Sequence, residues 1–485
     1  MTAALTISVM SCSDFMELKP KNELSLDEFY KTSEQIESAL NGAYSSLQES
    51  HMYGNWYIYG DIASDDTYNQ LSGSVTDQDE FDRYYIRTTN PYINGIWNTS
   101  YEAINRTNTI LTRSADIEMS EELKARYQQE AKFLRALFYF NIVRIFGDVP
   151  LVLKEISIEE AYKYMRESKD KVYAQIIADL NEAKGLPASY DKQNAGRATS
   201  GAARALLAKV YLTLHDYQKA EEELAAVVNS GTYALLENAT GSLNIDGYAS
   251  YFNPNNHNNA ESIFEVQFKK GGFSEGSNFA NRFAPNNSGT NVIAVGTGGG
   301  DNIPELEMYN AYEEGDLRRD FSVKLGYNDN RKGGEWVEAR YISKYFDTPY
   351  QANDNNNNYP LIRYADVLLM YAEALNQNGK TTEACDYLNQ VRRRGFGYQT
   401  SETSPVDKAI SSKEEFALAV ENERRFELAF EGHRWYDLIR TGRAVEVLTS
   451  KGFKLNESNT IYPIPQKQID VNPKLTQNKY DIIPK

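Results

Sequence analysis

The sequence predicts a mainly α-helical protein: a scaffold of paired helices with tetratricopeptide-like spacing, an α-α superhelix, carrying a loop- and short-strand-rich insertion at about 231–360. Three observations lead there. Amphipathic runs with legible caps fill both ends of the chain. One helix-pair pattern occurs twice, 164 positions apart. Between its copies the composition shifts to Asn, Gly and Pro.

The chain opens on LTISVMSC, an apolar stretch that ends at Ser11-Cys12 and gives way at once to Asp14, Glu17 and Lys19. It is too short for a whole secretory signal and lacks a basic n-region, so it reads as the tail of an h-region whose start lies upstream or has been clipped. VMSC resembles the lipobox of a bacterial lipoprotein, with Cys12 as the acylated first residue of the mature chain; the alternative is an N-terminal strand with a core cysteine. Residues 1–11 are therefore read as a truncated signal and 12–485 as one domain.

Ser25-x-x-Glu28 and Thr32-x-x-Gln35 are capping boxes that open helices. Trp97, Tyr101, Ile104, Asn108 and Leu111 mark one helical face, which places Trp97 in a core. A longer helix starts after Ser120, with acids in its first turn, and stops at Gly147. Ala208, Tyr211, Tyr217, Ala220, Leu224 and Val227 follow the spacing of a helix pair whose small residues allow close approach. Ala372, Leu375, Thr381, Ala384, Leu388 and Val391 repeat it. Between the copies, runs such as FNPNNHNNAES and NDNNNNYP separate the strand-like SIFEVQF and EWVEARYISKYF.

Composition narrows the function. Lys+Arg total 51 against Asp+Glu 68, so a net charge of −17 gives no drive toward nucleic acid or anionic lipid and favours neutral partners. Two distant cysteines, Cys12 and Cys385, make neither a disulfide framework nor a thiolate metal site, and Cys385 reads as a small buried residue. His51, His215, His257 and His433 stand singly, so no metal or cofactor is expected. Gly272-Phe273-Ser274-Glu275-Gly276 matches GxSxG, but no long helix follows it and the one later histidine is His433; it is read as accidental. No catalytic residue is assigned.

Aromatics are abundant, with 35 Tyr, and they concentrate with acids in HMYGNWYIYGDIASDDTYNQ. Aromatic faces beside carboxylates and amides suit a sugar, whose C–H face stacks and whose hydroxyls bridge. Trp56 and Tyr57 are expected to stack, Asp65 and Asp66 to accept hydroxyl hydrogen bonds, and Tyr68 and Trp336 to offer the same chemistry. The plain alternative is a packed loop. The densest C-terminal segment, ENERRFELAFEGHRWYDLIRTGRAVEVL, sets Glu423, Arg424, Arg425, Glu427 and Glu431 around Phe426 and Phe430, an arrangement read as structural locking.

Six blocks, CSDFMELKPKNEL, AKFLRALFYFNIVRIFGDVPLV, GRATSGAARALLAKVYL, LIRYADVLLMYAEALN, NERRFELAFEGHRWYDLIRTG and YPIPQKQIDVNPKLTQN, together resemble the SusD/RagB family in order and span nearly the whole chain. The resemblance implies a lipid-anchored glycan-binding protein of the Gram-negative outer membrane that sits as a lid on a SusC-like TonB-dependent transporter. It implies a non-enzymatic role and gives Arg363, Asp366, Glu373, Arg425, Glu427, Trp435 and Asp437 structural positions. The rival readings are a tetratricopeptide-type adaptor without a sugar site and, less favoured, a glycoside hydrolase with dispersed carboxylates.

Overall fold

The computed structural model describes residues 29–70 and 77–482. Cys12, the 1–11 segment and the Ser25 capping box lie outside the described residues. Helix α1 (Ser33–Ser45) begins at the Thr32 capping box, where Thr32 accepts from the Gln35 N–H and the Gln35 side chain returns to the Thr32 backbone. Helix α2 (Pro91–Arg113) carries Pro at its start behind an Asn90 cap and buries Trp97, Ile104 and Asn108 on one face. Helix α3 (Glu121–Phe146) is capped by Ser120 and ends at Gly147, whose φ of 69° closes the run without the clash a Cβ would bring. It packs on α2 and on α4 (Lys169–Ala183).

The two predicted helix pairs are α5 (Ser200–Thr213) with α6 (Tyr217–Val228), and α7 (Tyr364–Gln377) with α8 (Thr381–Gly395). Ala208, Ala220, Ala372 and Ala384 are fully buried where the partners approach. Helix α6 packs on α7, so the second pair stacks directly on the first although the insertion separates them in sequence. Helix α4 leans on α5, and α9 (Lys413–Glu427) covers α7 and α8. A single hydrophobic cluster runs through this stack from Ile36 to Leu475.

The insertion supplies short two-stranded sheets. Strand β1 (Thr67–Tyr68) pairs with β3 (Ile303–Pro304), and β2 (Ser262–Val266) pairs with β6 (Tyr359–Arg363). Strands β4 (Val323–Asp329) and β5 (Glu335–Ile342) form a hairpin. Short helices at Asp246–Tyr251, Phe279–Phe283, Leu306–Ala311 and Arg318–Ser322 also lie in the insertion. Each is too brief to display a 3.6-residue period, and the sequence pattern did not mark them.

The end of α9 is fastened by buried ion pairs. The Arg363 guanidinium, 1% exposed, reaches Glu261 (3.0 Å), Glu427 (2.5 Å) and Glu431 (2.7 Å). Arg318 joins Asp316, Glu423 and Glu427, Arg394 joins Glu261 and Glu427, and Lys344 donates to Glu431. Burial alone would raise the Glu427 carboxyl, but Arg394, Arg363 and Arg318 hold it well below the usual carboxylate range. Removing one member would strand a buried charge, at a cost of about 3–5 kcal/mol.

Candidate functional site

The aromatic loop at 53–68 lies inside the molecule. The Trp56 ring, 3% exposed, stacks at 5.7 Å on Tyr436 and lies 5.0 Å from Tyr53 and 5.6 Å from Tyr59. Tyr57 meets Phe283 edge-on at 5.3 Å, and its hydroxyl donates to Asp301. Both faces that a sugar would need are taken by protein.

The acids are taken as well. Asp65 accepts two bonds from Arg434, at 2.8 and 3.1 Å, and one from Lys451 at 2.6 Å. Asp66 accepts from Arg425 at 2.6 Å. Burial would raise the Asp65 carboxyl, but Arg425, Arg434 and Lys451 outweigh it and keep the group ionised far below its ordinary range. The expectation that Trp56, Tyr57, Asp65 and Asp66 meet a ligand is therefore corrected: burial withholds their surface, Phe283 and Asp301 of the insertion fill the contacts of Tyr57, and residues of the C-terminal segment fill those of the other three. Asp61 deepens the contrast. It accepts from the Gly432 N–H (2.8 Å) and the Asn302 amide (3.2 Å), yet burial pushes its carboxyl up to about 7.

Tyr68 and Trp336 have a different setting. Trp336 is 56% exposed on β5, and its ring lies over Gly326 of β4, where an added Cβ would come within 2.6 Å of the indole. The bare Cα makes room for the ring to lie along the hairpin with its outer surface in solvent, and Glu338 rises from the same face. A register shift between Lys324 and Gly326 places a bulge in β5 at Ala339 and Arg340. There Arg340 reaches β3 and β1: its Nε donates to the Pro304 carbonyl (2.8 Å), its Nη2 to the Tyr68 hydroxyl (3.4 Å), and its guanidinium stands 5.7 Å from the centre of the Tyr68 ring. Trp336 and the Tyr68–Arg340 pair thus mark two ends of one strand, about 13 Å apart at the usual rise per residue. Beneath the Tyr68 end, Asp82 accepts from the Asn69 N–H (3.3 Å), and burial pushes its carboxyl up to about 7.

The structure leaves Trp336 exposed on the hairpin, ties Tyr68 to Arg340 of the same strand, and sends the other four residues to the interior. Arg340, Glu338 and Gly326 were not identified from the sequence. The alternation in EWVEARYI was a usable signal for Glu338; the bulge that redirects Arg340 has no local signature. Elsewhere, Ser274 of the GxSxG match is exposed and opens no long helix. No group of three or more His, Cys, Asp or Glu able to hold a metal occurs among the described residues. Cys385 is buried, its Sγ donating to the Ile410 carbonyl.

A stack of tetratricopeptide-like helix pairs that positions a loop-borne aromatic face is the class of molecule this geometry defines. The chain belongs to the SusD family. The SusD family model matches residues 318–480, and a second model, described as starch-binding associating with outer membrane, matches residues 14–212. A SusD-like protein of Formosa agariphila is 28% identical over 98% of this chain and 96% of its own. The solved structure of a laminarin binding SusD-like protein superposes with a TM-score of 0.77 at 29% identity, over 93% of this chain and 99% of that one. Surface glycan-binding protein A from Bacteroides fluxus superposes with a TM-score of 0.76 at 26% identity, over 92% and 99%. These relatives are named for binding, and the family for its association with the outer membrane.

Proposed function

We propose that this protein captures a glycan at the cell surface, without cleaving it, on the edge marked by Trp336, Glu338, Arg340 and Tyr68. The observation that carries the reading is the Trp336 ring, held along the hairpin over Gly326 with its outer surface in solvent. A pyranose stacks on that ring; the Arg340 guanidinium and the Glu338 carboxylate donate to and accept from hydroxyls. A few stacked rings supply only a few kcal/mol, which gives roughly micromolar to millimolar affinity. Such binding is weak enough to release the sugar onward, and the glycan passes to a SusC-like TonB-dependent transporter in the outer membrane. A lipid on Cys12 holds the protein at that membrane.

The test is mobility in native gels cast with laminarin, starch, xylan, galactomannan or pectin, comparing the parent with Trp336→Ala. Retardation by one glycan, lost in the variant, supports the reading. Retardation that survives the substitution moves the site off the hairpin; a parent that no glycan retards and that binds a peptide or protein partner overturns the reading in favour of an adaptor.

A further inference from the structure

The GxSxG pentapeptide is explained by a second feature, built from its own loop and from the loop that follows the hairpin. Its loop, 270–276, is tied to the loop 346–356 by a built network. Asp354, 4% exposed, accepts with one carboxylate oxygen from the Gly271 N–H (3.2 Å) and the Gly272 N–H (2.7 Å). Both glycines have positive φ, 145° and 79°, which presents two successive amides to one oxygen. The Tyr350 N–H donates to the Asp354 carbonyl (3.0 Å). Lys270 binds Asp347 (2.9 Å) and the Thr348 carbonyl (2.7 Å), and Asp347 also accepts from the Asn356 N–H (2.7 Å). Ser277 and Asn355 close the far end through paired backbone bonds.

These loops hold three rings out in water, Phe346 at 57% exposure and two that sit closer to the glycines. Phe273 is 71% exposed and Tyr350 64%. They flank the Gly271–Gly272 dipeptide: a Cβ on Gly271 would sit 3.0 Å from the Phe273 ring, and one on Gly272 3.1 Å from the Tyr350 ring. Rigid loops that expose aromatic area forgo the gain of burying it, and such exposure marks a contact surface. The chemistry of the loops selects the occupant. Neither 270–276 nor 346–354 contains Val, Ile, Leu or Met, whereas Ser274, Glu275, Thr348, Gln351 and Asn353 surround the rings with hydroxyl, carboxylate and amide groups. A protein-docking patch would draw on aliphatic side chains; rings set in hydrogen-bonding groups match a pyranose.

We propose that Phe273 and Tyr350 form a second glycan platform, which engages further units of a long polysaccharide while Trp336 holds another part of it. This rests on the glycan-binding reading above. Two weak contacts on one chain act together through effective concentration, so the second platform raises affinity for polymer without changing that for a short oligosaccharide.

The experiment compares the parent, Trp336→Ala, and the double variant Phe273→Ala/Tyr350→Ala in affinity gels containing the retarding polysaccharide from the panel. Calorimetry with its hexasaccharide runs alongside. Ile158→Ala, at a 75% exposed position on another surface, controls for loss of exposed apolar area. The double variant is expected to lose about fivefold to tenfold in polymer affinity with its hexasaccharide affinity unchanged. Unchanged polymer affinity would overturn the second platform while leaving the first intact. Equal loss for polymer and hexasaccharide would make this the principal site and overturn the two-platform arrangement. A parent that binds nothing in the panel would overturn the glycan reading itself.

Discussion

The loop at 53–68 and the hairpin at 323–342 carry the same ingredients, a tryptophan, tyrosines and carboxylates, and the fold uses them in opposite ways. In the loop, Tyr436 covers Trp56, and Arg425 and Arg434 claim Asp66 and Asp65. On the hairpin, Trp336 lies on bare glycine backbone and keeps its outer surface in water. Composition specifies what a segment can bind. Which partner arrives first, protein or ligand, is decided by elements hundreds of residues away.

The sharpest way to break the comparison is Trp56→Ala. Loss of a buried indole costs about 3–5 kcal/mol, so the melting temperature falls markedly while the folded fraction still binds glycan. Asp65→Ala strands Arg434 and Lys451 beside Arg425 and is expected to cost about 3 kcal/mol by denaturant titration, again without effect on binding. Asp61 gives a pH signature. Its carboxyl is pushed up to about 7, so the folded state holds a proton that the unfolded chain has released above its ordinary value near 4. A raised value contributes stability that is present at low pH and is lost as pH rises through 7. Asp61→Asn keeps the acceptor for the Gly432 N–H and is expected to recover ~2–4 kcal/mol at pH 8 relative to pH 4, read as the difference between melting curves at the two values. The unpartnered Oδ1 of Asn302 can turn to accept from the new amide. At the small end, Trp336→Ala should leave the melting temperature within a degree or two and weaken glycan binding about tenfold, some 1.4 kcal/mol.

Local signals in the sequence carried far where the forces are local. The Thr32 box, the Ser120 cap and Gly147 set helix ends by hydrogen bonds and backbone conformation within a few residues, and each is where the spacing placed it. The repeat is stronger still: α7 begins 164 positions after α5, and α8 the same distance after α6. The fate of Asp65 depends on Arg434, 369 residues along the chain, and no window of sequence contains both. The locking arginines of α9 were recognised as structural, but the sequence does not name their partners. In fact Arg425 spends its guanidinium on Asp65, Asp66 and Glu307. Trp336 was expected to offer its ring, but the seat it occupies, Gly326 ten positions earlier across a hairpin, has no cap or period to mark it.

Because α6 packs on α7 directly, the stack is continuous through the point where the insertion departs and returns. The two helices act as a closed clasp, and extra length in the exposed loops of the detour between them costs only loop closure, roughly 0.6 kcal/mol for each doubling. Glu261, Arg318, Lys344 and Arg363 rivet the detour to α8 and to the end of α9, so what can be exchanged is the exposed loops and the hairpin between those rivets, while the clasp and the rivets form a fixed chassis.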